Sequence, residues 1–254
     1  MIKSYDAIGS IAVLKFRDST LKEKKEIAKK LLEERKNIKT ILEKVEKVKG
    51  KLRTIKTKFL AGKKTLETIH RESGCFFKLN IEKCYFSPRM SNDRLEIAKK
   101  ISGGKVLCLF SGISPYPIII GKYGKAEKII SIELGRDCNK YAKENVKLNK
   151  LENKISVIQG DVKKQIPKLK EKFDYIVMTR PQLKDTFLED ALKVAKQGTI
   201  IFYHGFGKEL AEIEQQIIQE AENCRRKIKI LESWRNGDIA PYTYRFTIMF
   251  KVEN

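Results

Sequence analysis

The stretch VLCLFSGISPYPIII, Val106–Ile120, carries an apolar, β-rich segment into a glycine-containing turn, and a helix can start near Ser114. A strand ending at Phe110, followed by Ser111-Gly112-Ile113-Ser114, has the layout of a nucleotide-binding turn. Gly112 lets the backbone come close to a ligand that a side chain would block. The segment KIISIE ends at Glu133, 21 residues after Gly112. An acidic residue about 20 positions beyond such a glycine is placed to accept hydrogen bonds from ribose hydroxyls. A third apolar segment ends in Gly160-Asp161, where a carboxylate can reach the exocyclic amine of an adenine. A pyrophosphate usually wants a more open glycine pattern, and Ser114 with Pro115 narrows this one. An adenosine cofactor without phosphates, S-adenosylmethionine, fits better. The expected cofactor contacts here are Phe110, Ser111, Gly112, Glu133 and Asp161.

Such a site needs parallel strands whose carboxyl ends share one edge, and the hydrophobic periodicity supplies them. Helices are expected at 92–101, 115–123, 136–149, 162–170, 184–196 and 207–222. Strands are expected at 105–110, 128–133, 155–158, 173–178 and 199–204. Their alternation predicts a parallel sheet with helices on both faces. Two further strands, 226–233 and 242–252, have only a loop between them and should pair antiparallel at or near one edge. The fold class is α/β, a Rossmann-like domain over 86–254 preceded by a small basic α+β domain over 1–85. In that first domain SYDAIGSIAVLKFR reads as a hairpin over 4–17 around Gly9-Ser10. Thr20-x-x-Glu23 reads as a capping box opening a helix over 21–35. The segment 38–48 has helical spacing at Ile38, Ile41, Leu42 and Val45, with strands also possible. Residues 53–60 and 65–86 read as strands, the latter turning at Ser73-Gly74.

The 254 residues carry 54 Lys and Arg against 32 Asp and Glu, a formal charge of +22. Residues 1–85 hold 23 of the basic and 11 of the acidic side chains. A charge of this size suits a polyanion, because each neutralised phosphate releases condensed counterions. A lysine-rich proteome is the alternative source of such a charge. Five scattered cysteines form no CxxC pair, and His70 and His204 lie far apart, so no metal site is expected. Without a signal peptide or an apolar run of 18 residues, the expectation is a cytoplasmic protein with no membrane partner. The oligomeric state is open, with a monomer favoured.

IHRESGCFFKLNIEKCYFSPRMSNDR (69–94), FSGISPY, IELGRDCNKYAKENVKLNK (132–150) and VIQGD (157–161) together resemble one family, the archaeal and eukaryotic type of tRNA (guanine-37) N1-methyltransferase with its wyosine-pathway relatives. The likeness runs from about Asp6 nearly to the C-terminus. It implies a class I methyltransferase domain, S-adenosylmethionine as cofactor, and the anticodon loop of a tRNA as partner. Many members carry a further N-terminal domain that reads the outer corner of the tRNA, and this chain is expected to lack it. The family's general base stands four residues after the arginine of Ser-Pro-Arg, which falls on Asp93, one methylene shorter than the family's glutamate. The resemblance also assigns Arg53 to the charge developing on O6, and Tyr85 and Arg89 to the pocket, with Tyr85 and Pro181 on the cofactor side. Three departures stand out. Cys108 occupies an acidic position, the loop reads Gly112-Ile113-Ser114 rather than Gly-x-Gly, and Thr179-Arg180-Pro181 replaces Asn-Pro-Pro or Asn-Leu-Pro. Thr179 then takes the place of the asparagine that orients the base. The implied activity is methyl transfer to N1 of guanosine 37 or to its tricyclic derivative. The alternatives are aminocarboxypropyl transfer from the same cofactor, or a tRNA-binding paralogue with little catalysis.

Overall fold

The computed structural model describes residues 5–16, 19–45, 54–179 and 185–254. The chain divides into two compact units, Met1–Pro88 and Arg89–Asn254. In the first, β1 (Asp6–Ile8) and β2 (Ile11–Leu14) form the expected hairpin, and α1 (Leu21–Glu34) carries the chain across to β3 (Thr40–Lys44), parallel to β2. An antiparallel β4 (Thr57–Gly62) completes a sheet of order β1-β2-β3-β4. The capping box of α1 is closed: the Glu23 N–H donates to Thr20 Oγ1 at 3.3 Å, and the Thr20 N–H to Glu23 Oε2 at 2.7 Å. Ala28 and Leu31 of the helix pack on Ala12, Leu14, Ile41 and Leu60.

Of the two readings open for residues 38–48, the described part is strand. Ile41 and Leu42 are both fully buried because β3 is an inner strand covered on both faces. Consecutive apolar residues there imitate helical spacing. A second hairpin, β5 (Glu67–Glu72) and β6 (Cys75–Asn80), turns at Ser73-Gly74, both in the left-handed region (φ 46° and 65°). It is shorter than the strand expected to reach residue 86.

A 3-10 turn over Pro88–Met90 leads the chain into the second unit, where α2 (Ser91–Lys100) follows. Strands β7 (Lys105–Leu109), β8 (Lys128–Glu133), β9 (Ile155–Gln159), β10 (Phe173–Met178) and β11 (Ala195–Gly207) pair in parallel. Helices α3 (Pro115–Tyr123), α4 (Arg136–Leu148), α5 (Val162–Gln165) and α6 (Leu188–Val194) connect them, and α7 (Leu210–Asn223) follows β11. The last strands, β12 (Ile228–Ala240) and β13 (Thr243–Val252), join antiparallel, giving the order β12-β13-β11-β10-β7-β8-β9. Strand order reverses at β7, the position where such sheets bind ligands. The expected helix 162–170 is only one turn of α5 and a 3-10 turn over Ile166–Lys168, because Pro167 cannot donate to the α-helical ladder. Strands β11 and β12 outrun their expected ends, to Gly207 and Ala240, because pairing with β13 continues past the parallel sheet. Among the described residues no helix is long and apolar enough to cross a membrane.

Candidate functional site

At the carboxyl end of β7 the backbone bends sharply. Phe110, Gly112 and Ser114 all take left-handed conformations, at φ 60°, 55° and 63°. The Ser111 N–H donates to the Ile132 carbonyl at 3.1 Å and the Ser114 N–H to the Ser111 carbonyl at 2.8 Å, folding the turn over the end of β8. Ser111 is turned inward, its hydroxyl donating to the Cys108 carbonyl at 2.9 Å. Ser114 stands where a second glycine was expected. It is buried, and its hydroxyl meets that of Ser131 at 2.8 Å, a bond that offsets the cost of a left-handed conformation for a residue with a Cβ. Asn145 Nδ2 donates to the Ile113 carbonyl at 3.2 Å and ties α4 to the same turn.

Glu133, at the end of β8, sits beneath this turn. Its Oε2 accepts the Gly112 N–H at 2.7 Å and its Oε1 the Gly135 N–H at 2.6 Å. Burial pushes the carboxyl up, more strongly than the N–H groups of Gly135, Gly112 and Leu134 pull it down. A buried carboxylate in that condition gains from further donors. Two ribose hydroxyls are such donors, so these residues suit an adenosine. Asp161 caps α5 just past the end of β9, accepting the Lys163 N–H at 2.9 Å. Phe110 meets Phe187 edge to face, the ring centres 4.9 Å apart. Phe110, Ser111, Gly112, Glu133 and Asp161 therefore lie along one edge of the sheet. Thr179 joins them just past β10, its hydroxyl directed at the Leu109 and Phe110 carbonyls (3.3 and 3.4 Å). It staples β10 to the turn.

The Asp93 carboxylate, expected to take a proton from the substrate, is turned into the interior of the second unit and meets four partners there. Its Oδ2 accepts from the Tyr116 hydroxyl at 2.5 Å and lies 3.1 Å from His204 Nε2. Its Oδ1 accepts from Trp234 Nε1 at 3.0 Å and from the Thr247 hydroxyl at 2.6 Å. Burial alone would raise this carboxyl. The hydrogen bond and charge of His204, with the bonds from Thr247 and Tyr116, outweigh burial and hold it well below the usual carboxylate range. These bonds tie α2, α3, β11, β12 and β13 together at Asp93. Tyr116, beside it, is pushed well above its ordinary value by burial and by the Asp93 charge.

The sequence reading missed His204, Trp234 and Thr247 as partners of Asp93. The available signal was a polar residue within each of two apolar runs, IIFYHGF and RFTIMF, since a buried polar group must find partners. Arg89 lies exposed in the 3-10 turn. Tyr85 belongs to the first unit and is 37% exposed. Arg53 and Pro181 lie outside the described residues.

A switch point at β7, a left-handed turn over a buried acidic strand end and an antiparallel closing pair define a Rossmann-like, nucleoside-binding α/β unit. Residues 68–231 match the TRM5/TYW2 methyltransferase domain, and residues 1–65 match the TYW2 N-terminal domain. The chain belongs to the TRM5/TYW2 methyltransferase family. It is 33% identical over 253 residues to the tRNA (guanine(37)-N(1))-methyltransferase Trm5b of Pyrococcus abyssi, covering 98% of this chain and 74% of that one. The crystal structure of that enzyme superposes with a TM-score of 0.87, over 100% of this chain and 76% of its own. A second relative is the tRNA (guanine(37)-N(1))/4-demethylwyosine(37)-methyltransferase Taw22 of Nanoarchaeum equitans, 32% identical over 96% of this chain and 98% of its own. The structure of P. horikoshii TYW2 in complex with MeSAdo aligns with a TM-score of 0.85 at 26% identity, over 100% of this chain and 92% of that one.

Proposed function

We propose that this protein is an S-adenosylmethionine-dependent tRNA methyltransferase acting on N1 of guanosine 37, or on the tricyclic wyosine precursor formed from it. The observation that carries the reading is the buried Glu133 carboxylate, clamped by the Gly112 and Gly135 N–H groups at the end of β8, where it can accept from the ribose hydroxyls of an adenosine. When bound, S-adenosylmethionine supplies an electrophilic methyl group on a sulfonium. Glu133 orients the ribose, the Phe110–Gly112 turn lies along the nucleoside, and Asp161 takes the adenine amine. N1 of guanine carries a proton that must leave as the new bond forms, and Asp93 remains our assignment for the group that takes it. Arg53 remains our assignment for the charge developing on the acceptor base, Arg89 and Tyr85 for the pocket, and Tyr85 and Pro181 for the cofactor's surroundings. The partner is the anticodon loop of a tRNA, and the setting is cytoplasmic.

Aminocarboxypropyl transfer is the second reading, favoured by the match of residues 1–65 to the TYW2 N-terminal domain. Both follow from one experiment. The protein is incubated with unmodified tRNA, and with tRNA carrying the tricyclic precursor at position 37, together with S-adenosylmethionine labelled either in the methyl group or in the carboxyl carbon, and the tRNA is digested to nucleosides. Label from the methyl group in N1-methylguanosine is the expected result. Label from the carboxyl carbon alone assigns the second reading, and tRNA binding without label from either removes both.

A further inference from the structure

Past the carboxyl edge of the parallel sheet stands a three-stranded extension. Strand β10 ends at Met178, opposite Tyr203, but β11 and β13 stay paired from His204–Thr247 to Gly207–Tyr244. Strand β12 accompanies them to its last pair, Ala240–Thr243. At about 3.3 Å per residue, four residues project about 13 Å beyond the edge that carries the cofactor site. Only β10 and β11 separate β13 from β7, which at about 4.8 Å between strands puts the extension about 14 Å to the side of the Gly112 turn.

Its tip carries the exposed side chains of Arg235 and Tyr242 beside Tyr244, which also packs on the core and on Phe246. The register shift between Arg235 and Gly237 is a bulge at Asn236. Trp234 and Asn236 are directed inward, toward Asp93 and Thr247. Arg235 goes to the other face and lies over the Tyr244 ring, its guanidinium carbon 3.7 Å from the ring centre. Asp238 Oδ1 accepts from Arg235 Nε at 3.0 Å and from Nη2 at 2.6 Å, fixing the plane of the guanidinium from one edge. Arg235 stays half exposed, at 50% of its side chain. One face rests on Tyr244, one edge is held by Asp238, and the opposite face is open. The turn beside it, Pro241-Tyr242, places a tyrosine in the left-handed region at φ 56° with 75% of its surface exposed. The second position of such a Pro-X turn favours glycine or asparagine, so an exposed aromatic there is unfavourable for the fold alone.

We propose that Arg235, Tyr244 and Tyr242 form a stacking platform for an unpaired nucleotide of the bound RNA, next to the base that enters the active site. The proposal takes its partner class, an RNA, from the function proposed above. A guanidinium fixed in plane on an aromatic ring and open on its other face matches the way unstacked bases are received, on arginine planes and aromatic rings. The +22 charge of the chain favours the same partner. Stacking also needs no particular base, which suits a position flanking the target.

The test is binding of the full chain to a fluorescein-labelled RNA hairpin with a guanosine in its loop, compared with a fully paired RNA of equal length. Arg235→Lys keeps the charge but loses the plane, and is expected to weaken hairpin binding about tenfold, as Arg235→Ala does, with the duplex unaffected. Tyr242→Gly is expected to weaken the hairpin several-fold without lowering Tm, since glycine suits the turn. With 2-aminopurine in the loop, quenching on binding to the parent and its absence with Arg235→Lys identify stacking directly. If Arg235→Lys binds as the parent does, or weakens hairpin and duplex alike, Arg235 is a charge contact and the platform is overturned. A parent protein that binds the hairpin but transfers no label to tRNA refutes the proposed function and leaves this comparison intact. A parent that binds neither RNA overturns both.

Discussion

Asp93 and Glu133 are buried carboxylates that their surroundings push in opposite directions, and each direction predicts a behaviour. Asp93 is held low by His204, Thr247 and Tyr116 against the cost of burial. A folded-state value below the unfolded one, about 3.9, means that its stabilisation is complete above that pH and is lost as pH falls below it. Asp93→Asn keeps the shape but sets an amide N–H against a cluster of donors. It should cost about 3 kcal/mol in urea unfolding at neutral pH and flatten the acid limb of the stability profile. A variant as stable as the parent would show that these bonds do not hold the fold, and a folded variant silent in single-turnover methyl transfer supports Asp93 as the base. Glu133 is raised by burial. Its ionisation therefore opposes folding, and stability from this group falls as pH rises from about 4.3, the unfolded value, through the raised one. Glu133→Gln should remove that decline while weakening S-adenosylmethionine binding about tenfold or more, read by calorimetry. Unchanged affinity would place the ribose elsewhere.

The turn between β7 and α3 shows how an element tolerates a residue that breaks its pattern. Ser114 holds a left-handed backbone, and its hydroxyl, bonded to Ser131, keeps it there. Ser114→Ala loses the bond and keeps the strain, and should cost about 1–2 kcal/mol in thermal unfolding. Ser114→Gly loses both and should come out near the parent. If the two variants fall equally, backbone strain has no part in this turn. Gly112→Val places a β-branched residue at φ 55° in the wall of the expected nucleoside site. It is expected to abolish cofactor binding in a protein that still folds, and unchanged calorimetric affinity would dissociate the turn from the cofactor.

For the whole molecule the governing quantity is charge. With 54 basic against 32 acidic side chains, binding to tRNA should weaken steeply with salt, with a log–log slope of about −0.7 to −0.9 for each phosphate neutralised. A flat response in filter binding between low and physiological salt would trace the lysines to composition rather than to RNA. Exposed lysines paired with single carboxylates, such as Lys99–Glu96 and Lys30–Glu34, contribute little to stability, so their substitution should leave Tm nearly unchanged.

The alternation of the second unit was legible because its strands and helices have distinct periods, and the strand-end residues Gly112, Glu133 and Asp161 follow from where a parallel sheet must end. Ser114 was legible as a departure, but its remedy was not, because Ser131 is 17 positions away and reaches it only when β8 lies beside β7. Strand β3 escaped the pattern because burial on both faces erases alternation. The length of β12 escaped because an edge ribbon past the sheet needs no apolar core to extend it. Asp93 is the sharpest case. Its place in the motif marked it for chemistry, yet its donors Tyr116, His204, Trp234 and Thr247 come from 23 to 154 residues away. Sequence spacing determines which residue types reach an edge of the sheet. Only the packed tertiary structure decides which donors surround a carboxylate, and those donors set whether it can hold a proton.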